Sequence, residues 1–380
     1  MRRLRLGMIG GGEGAFIGGV HRFAARMDDR WELTAGCFSQ DAERGRRSAV
    51  ALHVPPERCY ADWREMVRAE AARPDGVDAV AIVTPNASHH AMARSCLDAG
   101  LHVICDKPLC TTMEDAQDLA RAVQETGRIF ALTHNYTGYP MIREARALVA
   151  SGALGAIRVI QVEYAQDWLA TPLEETGQKQ AAWRSDPAQA GPAGSLGDLG
   201  THAHNLLEFV TGLGVEALCA ELSHFVPGRR VDDDAQIMLR LSGRARGALW
   251  VSQVATGSEN ALRLRVYGER ASLEWAQEQP NQLRFASLGE APRLLARGVG
   301  ALSPAAMHAA RLPGGHPEGY LEAFAQLYRD IAEQIAARIE GRAPDPASLL
   351  VPGVQAGVRG LAFITAALAS ARAGGCWTTL

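Results

Sequence analysis

The sequence predicts an α/β protein of two domains: an N-terminal doubly wound parallel sheet of the Rossmann type over residues 1–134, and an α/β domain over 135–380 with a large, mainly antiparallel open sheet. Three observations predict it. An apolar strand runs directly into a glycine cluster and then into a helical segment. Strands and helices then alternate, the pattern of a parallel sheet with right-handed crossovers. After Ala150 the rhythm changes to long strands joined by short turns, which pair antiparallel.

The elements follow in order. Leu4 to Ile9 is the first strand, Gly10-Gly11-Gly12-Glu13-Gly14-Ala15 the turn, and a helix follows through Met27. A strand from Glu32 to Phe38, a helix over Ala42–Leu52 and a helix near Asp62–Ala72 come next. Val77 to Val83 is a continuous apolar run, as in a strand buried on both faces. The helix Ser88–Ala99 closes at Gly100, and strands Leu101–Cys105 and Ile129–Leu132 flank a helix over Met113–Thr126.

Beyond Ala150, strands are expected at Ile157–Gln166, Val215–Phe225, Ala235–Leu241, Ala248–Val254, Leu262–Tyr267 and Ala271–Trp275. Helices at Thr201–Thr211, Tyr320–Gly341 and Gly353–Ala373 are expected to cover one face of that sheet, the last also returning to the first domain. The Gly/Pro-rich stretch 291–317 carries no clear pattern.

A length of 380 residues exceeds one ordinary core. A hydrophobic fraction of 47% with 21% charged residues excludes long disorder. The net charge of −3, without a basic block, argues against a nucleic-acid partner. No uninterrupted apolar run approaches the roughly 20 residues of a membrane span, and no signal-peptide core follows Met1-Arg2-Arg3, so a cytoplasmic protein without a membrane partner is expected. Seven scattered cysteines, none in Cys-x-x-Cys spacing, indicate neither a disulfide framework nor zinc.

The glycine turn matters because backbone amides at a helix N-terminus must approach a pyrophosphate, and a Cβ there obstructs them. Two registers fit: Gly10-x-Gly12-x-x-Ala15, or an insertion of Glu13-Gly14-Ala15 after which Phe16-Ile17-Gly18 resumes the pattern. Where an acid would hold the ribose of NAD, the chain has Ser39-Gln40-Asp41. Ser39 with Arg44 suits the 2′-phosphate of NADP, whereas Asp41 repels it or simply caps the following helix. NAD is the expected cofactor, with NADP open.

Lys107, in Cys105-Asp106-Lys107-Pro108, leaves the sheet at the cofactor edge. An ammonium there can bind a substrate hydroxyl and lower its pKa, or can be a solvated lysine at a strand end. Asp198 and His202, four apart, share a face if the helix has begun by then, and a carboxylate beside an imidazole is an acid–base pair. The spacing also suits a metal, but no third ligand stands nearby, so no metal is expected. His204 points away and reads as structural.

The glycine turn, Thr84-Pro85-Asn86 with His89, Asp106-Lys107-Pro108, Trp183-Arg184 and Gly197-Asp198-Leu199-Gly200-Thr201-His202, in this order along nearly the whole chain, resemble the Gfo/Idh/MocA oxidoreductases. The resemblance implies sugar, inositol or related polyol substrates, and oligomer contacts (a dimer or tetramer) through the second-domain sheet. It makes Lys107, Asp198 and His202 the catalytic residues, with His202 the proton acceptor. Thr84, Pro85, Asn86, His89, Asp106 and Asn135 join Gly10, Gly12, Ala15, Phe16, Ile17, Ser39, Gln40 and Arg44 around the cofactor. Tyr136, Trp168 and Arg184 become substrate contacts.

Three positions depart from the family pattern. Asp106 stands for the usual Glu, Asn205 for an often acidic residue, and His134-Asn135-Tyr136 lacks an arginine. The expectation is hydride transfer at a ring hydroxyl of an inositol such as the scyllo or myo form, or of a hexopyranose such as glucose, its L form included. The alternatives are an NAD-dependent glycosidase that retains its cofactor and a non-catalytic cofactor-binding sensor.

Overall fold

The computed structural model describes residues 2–380. Five parallel strands, β1 Leu4–Gly10, β2 Trp31–Cys37, β3 Ala79–Val83, β4 His102–Cys105 and β5 Phe130–Leu132, lie in the order β2-β1-β3-β4-β5. The helices between them are α1 Phe16–Met27, α2 Ala42–Ala51, α3 Trp63–Ala72, α4 His89–Asp98 and α5 Met113–Thr126. The strand order reverses beside β1, and ligands of such sheets bind at the carboxyl ends of the strands next to that reversal.

Every residue of β3 is buried, as its unbroken apolar run requires. Asp41, Asp62 and Thr112 cap α2, α3 and α5 with side-chain oxygens, each worth about 1 kcal/mol.

The chain divides into two compact units, Met1–Gly138 with Tyr320–Val358, and Tyr139–Gly319 with Arg359–Leu380. The contiguous second domain expected over 135–380 therefore gives way to a discontinuous one. Helix α11, Tyr320–Glu340, belongs to the first unit and lies on α1 instead of covering the second sheet. Its Phe324, Leu327, Tyr328, Ile331 and Ile335 share a core with Leu6, Met8, Val20 and Ala24. The Tyr328 hydroxyl meets His21 Nδ1 at 2.8 Å, and Trp31 Nε1 donates to Tyr328 O at 2.9 Å. Helical periodicity reports that one face is buried but not against which layer, which is why the sequence misplaces this helix.

The final helix, α12 Val354–Arg372, returns to the first unit only through Val358. Just ahead of it, Leu132 N donates to Pro352 O at 2.8 Å. The segment Pro346–Arg372 reaches the length and mean hydropathy of a membrane span without an uninterrupted apolar run, and half of its most apolar 18-residue window is buried within the fold.

In the second unit β6 Ile157–Ala165, β7 Val215–Ser223, β8 Asp234–Leu241, β9 Arg246–Ser252, β10 Ala261–Gly268, β11 Ala271–Ala276, β12 Gln282–Ser287, β13 Arg293–Ala296 and β14 Thr378–Thr379 form one sheet. Its order is β13-β12-β11-β10-β6-β9-β8-β7-β14. Neighbours are antiparallel except the β6–β9 pair, which is parallel. The remaining helices are α6 Pro140–Ala150, α7 Lys179–Arg184, α8 Pro187–Ala190, α9 Thr201–Thr211 and α10 Pro304–Ala309.

Alternation sets the faces: Leu262, Leu264 and Val266 of β10 are buried, and α9 lies over β6, β9 and β10. The unpatterned stretch 291–317 contains β13 and α10. It is tied down by the buried Arg297, which pairs with Glu318 at 2.8 Å and donates to Asn281 Oδ1 and to the Leu312 and Pro313 carbonyls.

Two histidines of the first unit are held neutral. Burial lowers both His21 and His102 from 6.5 to about 4, helped at His102 by Arg128 and Arg338. Above pH 6.5 neither affects stability. Between 6.5 and about 4 the unfolded chain takes up protons that the fold refuses, so stability falls with acidification, by up to ~1.4 kcal/mol per pH unit per histidine. Denaturation midpoints measured from pH 7 to 5 should fall, and His102→Asn should make that slope shallower. An equal slope in the variant rejects this account.

Candidate active site

The glycine turn is built by contact. Gly10 has φ +85°, a conformation that a side chain rarely adopts. A Cβ on Gly12 would stand 2.6 Å from Phe38 O, and one on Gly18 only 2.3 Å from Gly11 Cα. The third fingerprint glycine is thus Gly18, and Glu13-Gly14-Ala15 is the insertion, which decides between the two registers. Ala15 becomes the N-cap of α1, and its amide donates to Gly12 O at 3.0 Å.

Beside the turn lies an open cavity of about 660 Å³ lined by Gly12, Glu13, Phe16, Arg22, Arg47 and Ser48. Phe16 is 68% exposed there, while Arg22 donates to Gly11 O. Ser48 Oγ accepts from Glu13 N at 3.0 Å and donates to Arg44 O at 2.8 Å, anchoring the insertion to α2. Sequence reasoning missed Arg22, Arg47 and Ser48, which sit inside helices and carry no motif. The cradle fits a dinucleotide pyrophosphate, because each position where a Cβ would obstruct the backbone is glycine.

After β2, Asp41 Oδ1 accepts from Arg44 N at 2.8 Å, and Asp41 N donates to Ser39 Oγ at 3.1 Å. Asp41 is the helix cap, and that bond to the Arg44 amide is the main reason its pKa is lowered. Gln40 and Arg44 are exposed beside it.

At the ends of β3, β4 and β5 the loops are tied to one another. Thr84 Oγ1 meets Ser88 Oγ at 2.7 Å, and Ser88 Oγ donates to Pro85 O at 2.7 Å. Asn86 is buried in the same turn. The fully buried His89 reaches the Pro108 carbonyl with Nδ1 and the Thr84 carbonyl with Nε2, both at 2.8 Å. The Asp106 carboxylate accepts from the Lys107 amide at 3.0 Å and from Thr133 Oγ1 at 2.8 Å, and the Lys107–Pro108 peptide is cis. Asn135 and Tyr136 occupy the buried turn after β5. The first unit therefore gathers the sequence-selected Thr84, Pro85, Asn86, His89, Asp106, Lys107, Asn135 and Tyr136 where these three strands end.

In the second unit, Leu196–Gly200 is a π-helical turn that continues into α9 at Thr201. Such turns are less stable than α-helix and are frequent at functional positions. Asp198 lies on the π turn and His202 on α9, so the helix has begun, although with wider winding than the sequence suggests. Asp198 Oδ2 accepts from Gln253 Nε2 at 3.0 Å and stands 3.4 Å from Arg184 Nε. The Arg184 guanidinium lies 4.2 Å from the Trp183 ring centre and 5.9 Å from that of Trp168, and donates to Gln180 Oε1 at 2.7 Å.

His202 is 8% exposed, with the Tyr164 ring edge-on at 6.1 Å. His204 turns elsewhere: it stacks on Phe363 at 4.5 Å, and burial lowers its pKa. Gln253 and Tyr164 were missed because each closes or lies in a strand whose alternation reads as ordinary sheet.

The loop carrying Trp168 is held from below. The buried Arg229 donates to Leu169 O at 2.9 Å, Thr171 O at 3.2 Å and the Glu174 carboxylate at 2.8 Å, and pairs with Asp233 at 3.3 Å. Among the described residues no group of three or more His, Cys, Asp or Glu is arranged to hold a metal.

Residues 4–134 match the family model of the oxidoreductase family with an NAD-binding Rossmann fold, and residues 142–274 match that of the GFO/IDH/MocA C-terminal domain. An uncharacterized oxidoreductase of Bacillus subtilis, YfiI, is 35% identical over 98% of this chain and 96% of its own length. The levoglucosan dehydrogenase of Pseudarthrobacter phenanthrenivorans is 28% identical over 75% of this chain and 77% of its own.

Among solved structures, an inositol dehydrogenase homologue from Azotobacter vinelandii complexed with NAD+ superposes with a TM-score of 0.95. It is 40% identical and covers 100% of this chain and 98% of its own. Its complex with NADH and myo-inositol gives a TM-score of 0.92 at 39% identity, with the same coverage. With both domain models matched and the glycine cradle in place, the chain belongs to the Gfo/Idh/MocA family and is an NAD-dependent oxidoreductase of the inositol and sugar dehydrogenase type.

Proposed function

We propose that the chain moves a hydride between NAD and a ring hydroxyl of a cyclitol or hexopyranose, with myo- and scyllo-inositol and glucose, including L-glucose, as the substrate class. One observation carries this reading: the Asp198 carboxylate is gathered with the Gln253 amide and the Arg184 guanidinium beside the indoles of Trp183 and Trp168. A ring sugar or cyclitol offers hydroxyls at its edge and C–H groups on its faces, and such a mixture of polar and flat apolar groups suits both. The similarity to the homologue solved with NADH and myo-inositol supports the same class.

NAD, when bound, supplies the hydride acceptor. His202 takes the hydroxyl proton, since an imidazole changes charge near neutral pH. Asp198 binds and orients the polar edge of the ring. The Lys107 ammonium stabilises the alkoxide that forms as the proton leaves. Tyr136, Trp168 and Arg184 contact the ring, while Thr84, Asn86, His89, Asp106 and Asn135 shape the nicotinamide side.

The second-domain sheet carries the oligomer contact. Val159, Met238, Tyr267 and Leu294 are exposed on its strands, and a hollow of about 410 Å³ is lined by Gln161, Cys219, Gln236, Met238 and Trp250. A wide uncovered sheet face is what a partner subunit covers.

Three outcomes test these readings. With NAD and a panel of inositols and both glucose enantiomers, absorbance at the reduced-nicotinamide band should rise, and Lys107→Ala should lower kcat/KM by ~10²–10⁴-fold. Unchanged turnover in that variant refutes the mechanism, and cofactor reduced but never released points to the glycosidase chemistry. Asp41→Ser, which keeps a capping side chain, should raise use of NADP relative to NAD by about tenfold, because one negative charge facing a 2′-phosphate is removed. An unchanged ratio leaves Asp41 a cap alone. Light scattering on the eluting protein should give a dimer or tetramer, and a monomer rejects the sheet contact.

A further inference from the structure

The stretch Asp232-Asp233-Asp234 stands where β8 begins, and its first carboxylate is buried, 3% exposed. Asp232 Oδ1 accepts from Gly194 N, and Oδ2 from Ser195 Oγ and Leu196 N, all at 2.7 Å; Ser195 N donates back to Asp232 O at 2.8 Å. A single residue therefore makes four hydrogen bonds to three consecutive residues, and the approach is so close that a Cβ on Gly194 would lie 2.1 Å from Asp232 O. Among the described residues no lysine or arginine pairs with this carboxylate, and burial pushes its pKa up against the three donors. A helix end that needed only a cap would be served by a neutral side chain, and an unpaired buried carboxylate is costly.

Leu196, the last residue gripped, is also the first of the π turn that carries Asp198. A second support of Asp198, beside the Arg184 guanidinium, comes from the same corner. Ser252 pairs with Asp234, Gln253 N donates to Asp233 O at 2.9 Å, and Gln253 Nε2 holds the Asp198 carboxylate. Asp232 fixes the backbone leading into Asp198, and Gln253 fixes its side chain. If the leading end is released, the favoured state of the turn is regular α-helix, which winds more tightly and rotates Asp198 away from Gln253 while His202, further along, stays in α9.

We propose that Asp232 is a positioning residue for the proton-transfer pair: it holds Gly194–Leu196 so that the π turn persists and Asp198 keeps its place relative to His202. The proposal rests on the reading that Asp198 and His202 act on the substrate hydroxyl.

The experiment uses the full chain with NAD and myo-inositol, comparing wild type, Asp232→Asn, Ser195→Ala, Asp198→Asn and His202→Gln. In Asp232→Asn, kcat should fall about 100-fold, as expected for a group displaced by an ångström, with KM for myo-inositol and the dissociation constant of NAD within about twofold. Ser195→Ala removes one of the four bonds, folds normally, and should lower kcat by about threefold with KM unchanged. In both variants hydrogen exchange should quicken in peptides covering 194–202 and stay at the wild-type rate over β1 and α1.

Wild-type kcat per NAD-binding site in Ser195→Ala and Asp232→Asn, or unchanged exchange over 194–202, overturns the proposal. Activity lost only in proportion to the folded fraction assigns Asp232 a purely structural role and overturns it equally. Wild-type rates in Asp198→Asn and His202→Gln overturn the functional reading instead, and the exchange data then judge Asp232 alone.

Discussion

The contact between Gly18 and Gly11 is the constraint on which the first unit depends. With no side chain at either position, α1 lies directly on the glycine turn. The insertion Glu13-Gly14-Ala15 bulges outward, and the amides at the start of α1 remain available. The same seating presents His21, one turn further along α1, to Tyr328 of α11, so one backbone contact bears on both the phosphate cradle and the docking of a helix three hundred residues away in sequence. A single methyl group at Gly18 disturbs both.

Much of this was legible in the sequence, because it depends on local chemistry. The strand, turn and helix order of the first 134 residues follows from apolar runs, glycines and capping residues, and the structure moves the ends by a residue or two. The two registers of the glycine turn could not be separated from sequence, since the difference is a distance between backbones. The Asp41 cap was legible as one of two roles, because an aspartate before a helix serves either. The placement of α11 was not legible: its apolar stripe fits any sheet, and only the shape of α1 with Trp31 and His21 selects the partner.

The second unit shows the reverse balance. Its long strands alternate clearly, yet β12 and β13 were overlooked because their segments are only 6 and 4 residues long. Asp198 and His202 were found by spacing, but Gln253, Tyr164, Arg229 and Asp232 act through contacts made across the sheet and its loops, at separations from about 30 to 60 residues, that leave no local mark. Motifs expose the candidate groups. The residues that contact them and their loops are spread through the sequence, and only the fold brings them together.

The division of the first unit into two stretches of chain has a consequence for biosynthesis. Its core includes Phe324, Tyr328, Ile331 and Ile335, and β5 is hydrogen-bonded to Pro352. When a ribosome has produced the first 138 residues, the apolar side of α1 that α11 will later cover is still bare, and it remains so while the 181 residues from Tyr139 to Gly319 are made. At the 5–20 residues per second at which chains grow, that interval is on the order of 10–40 s. The nucleotide-binding half is thus the first begun and among the last completed, and the nascent chain passes through a period in which its N-terminal sheet has every strand but not its full cover.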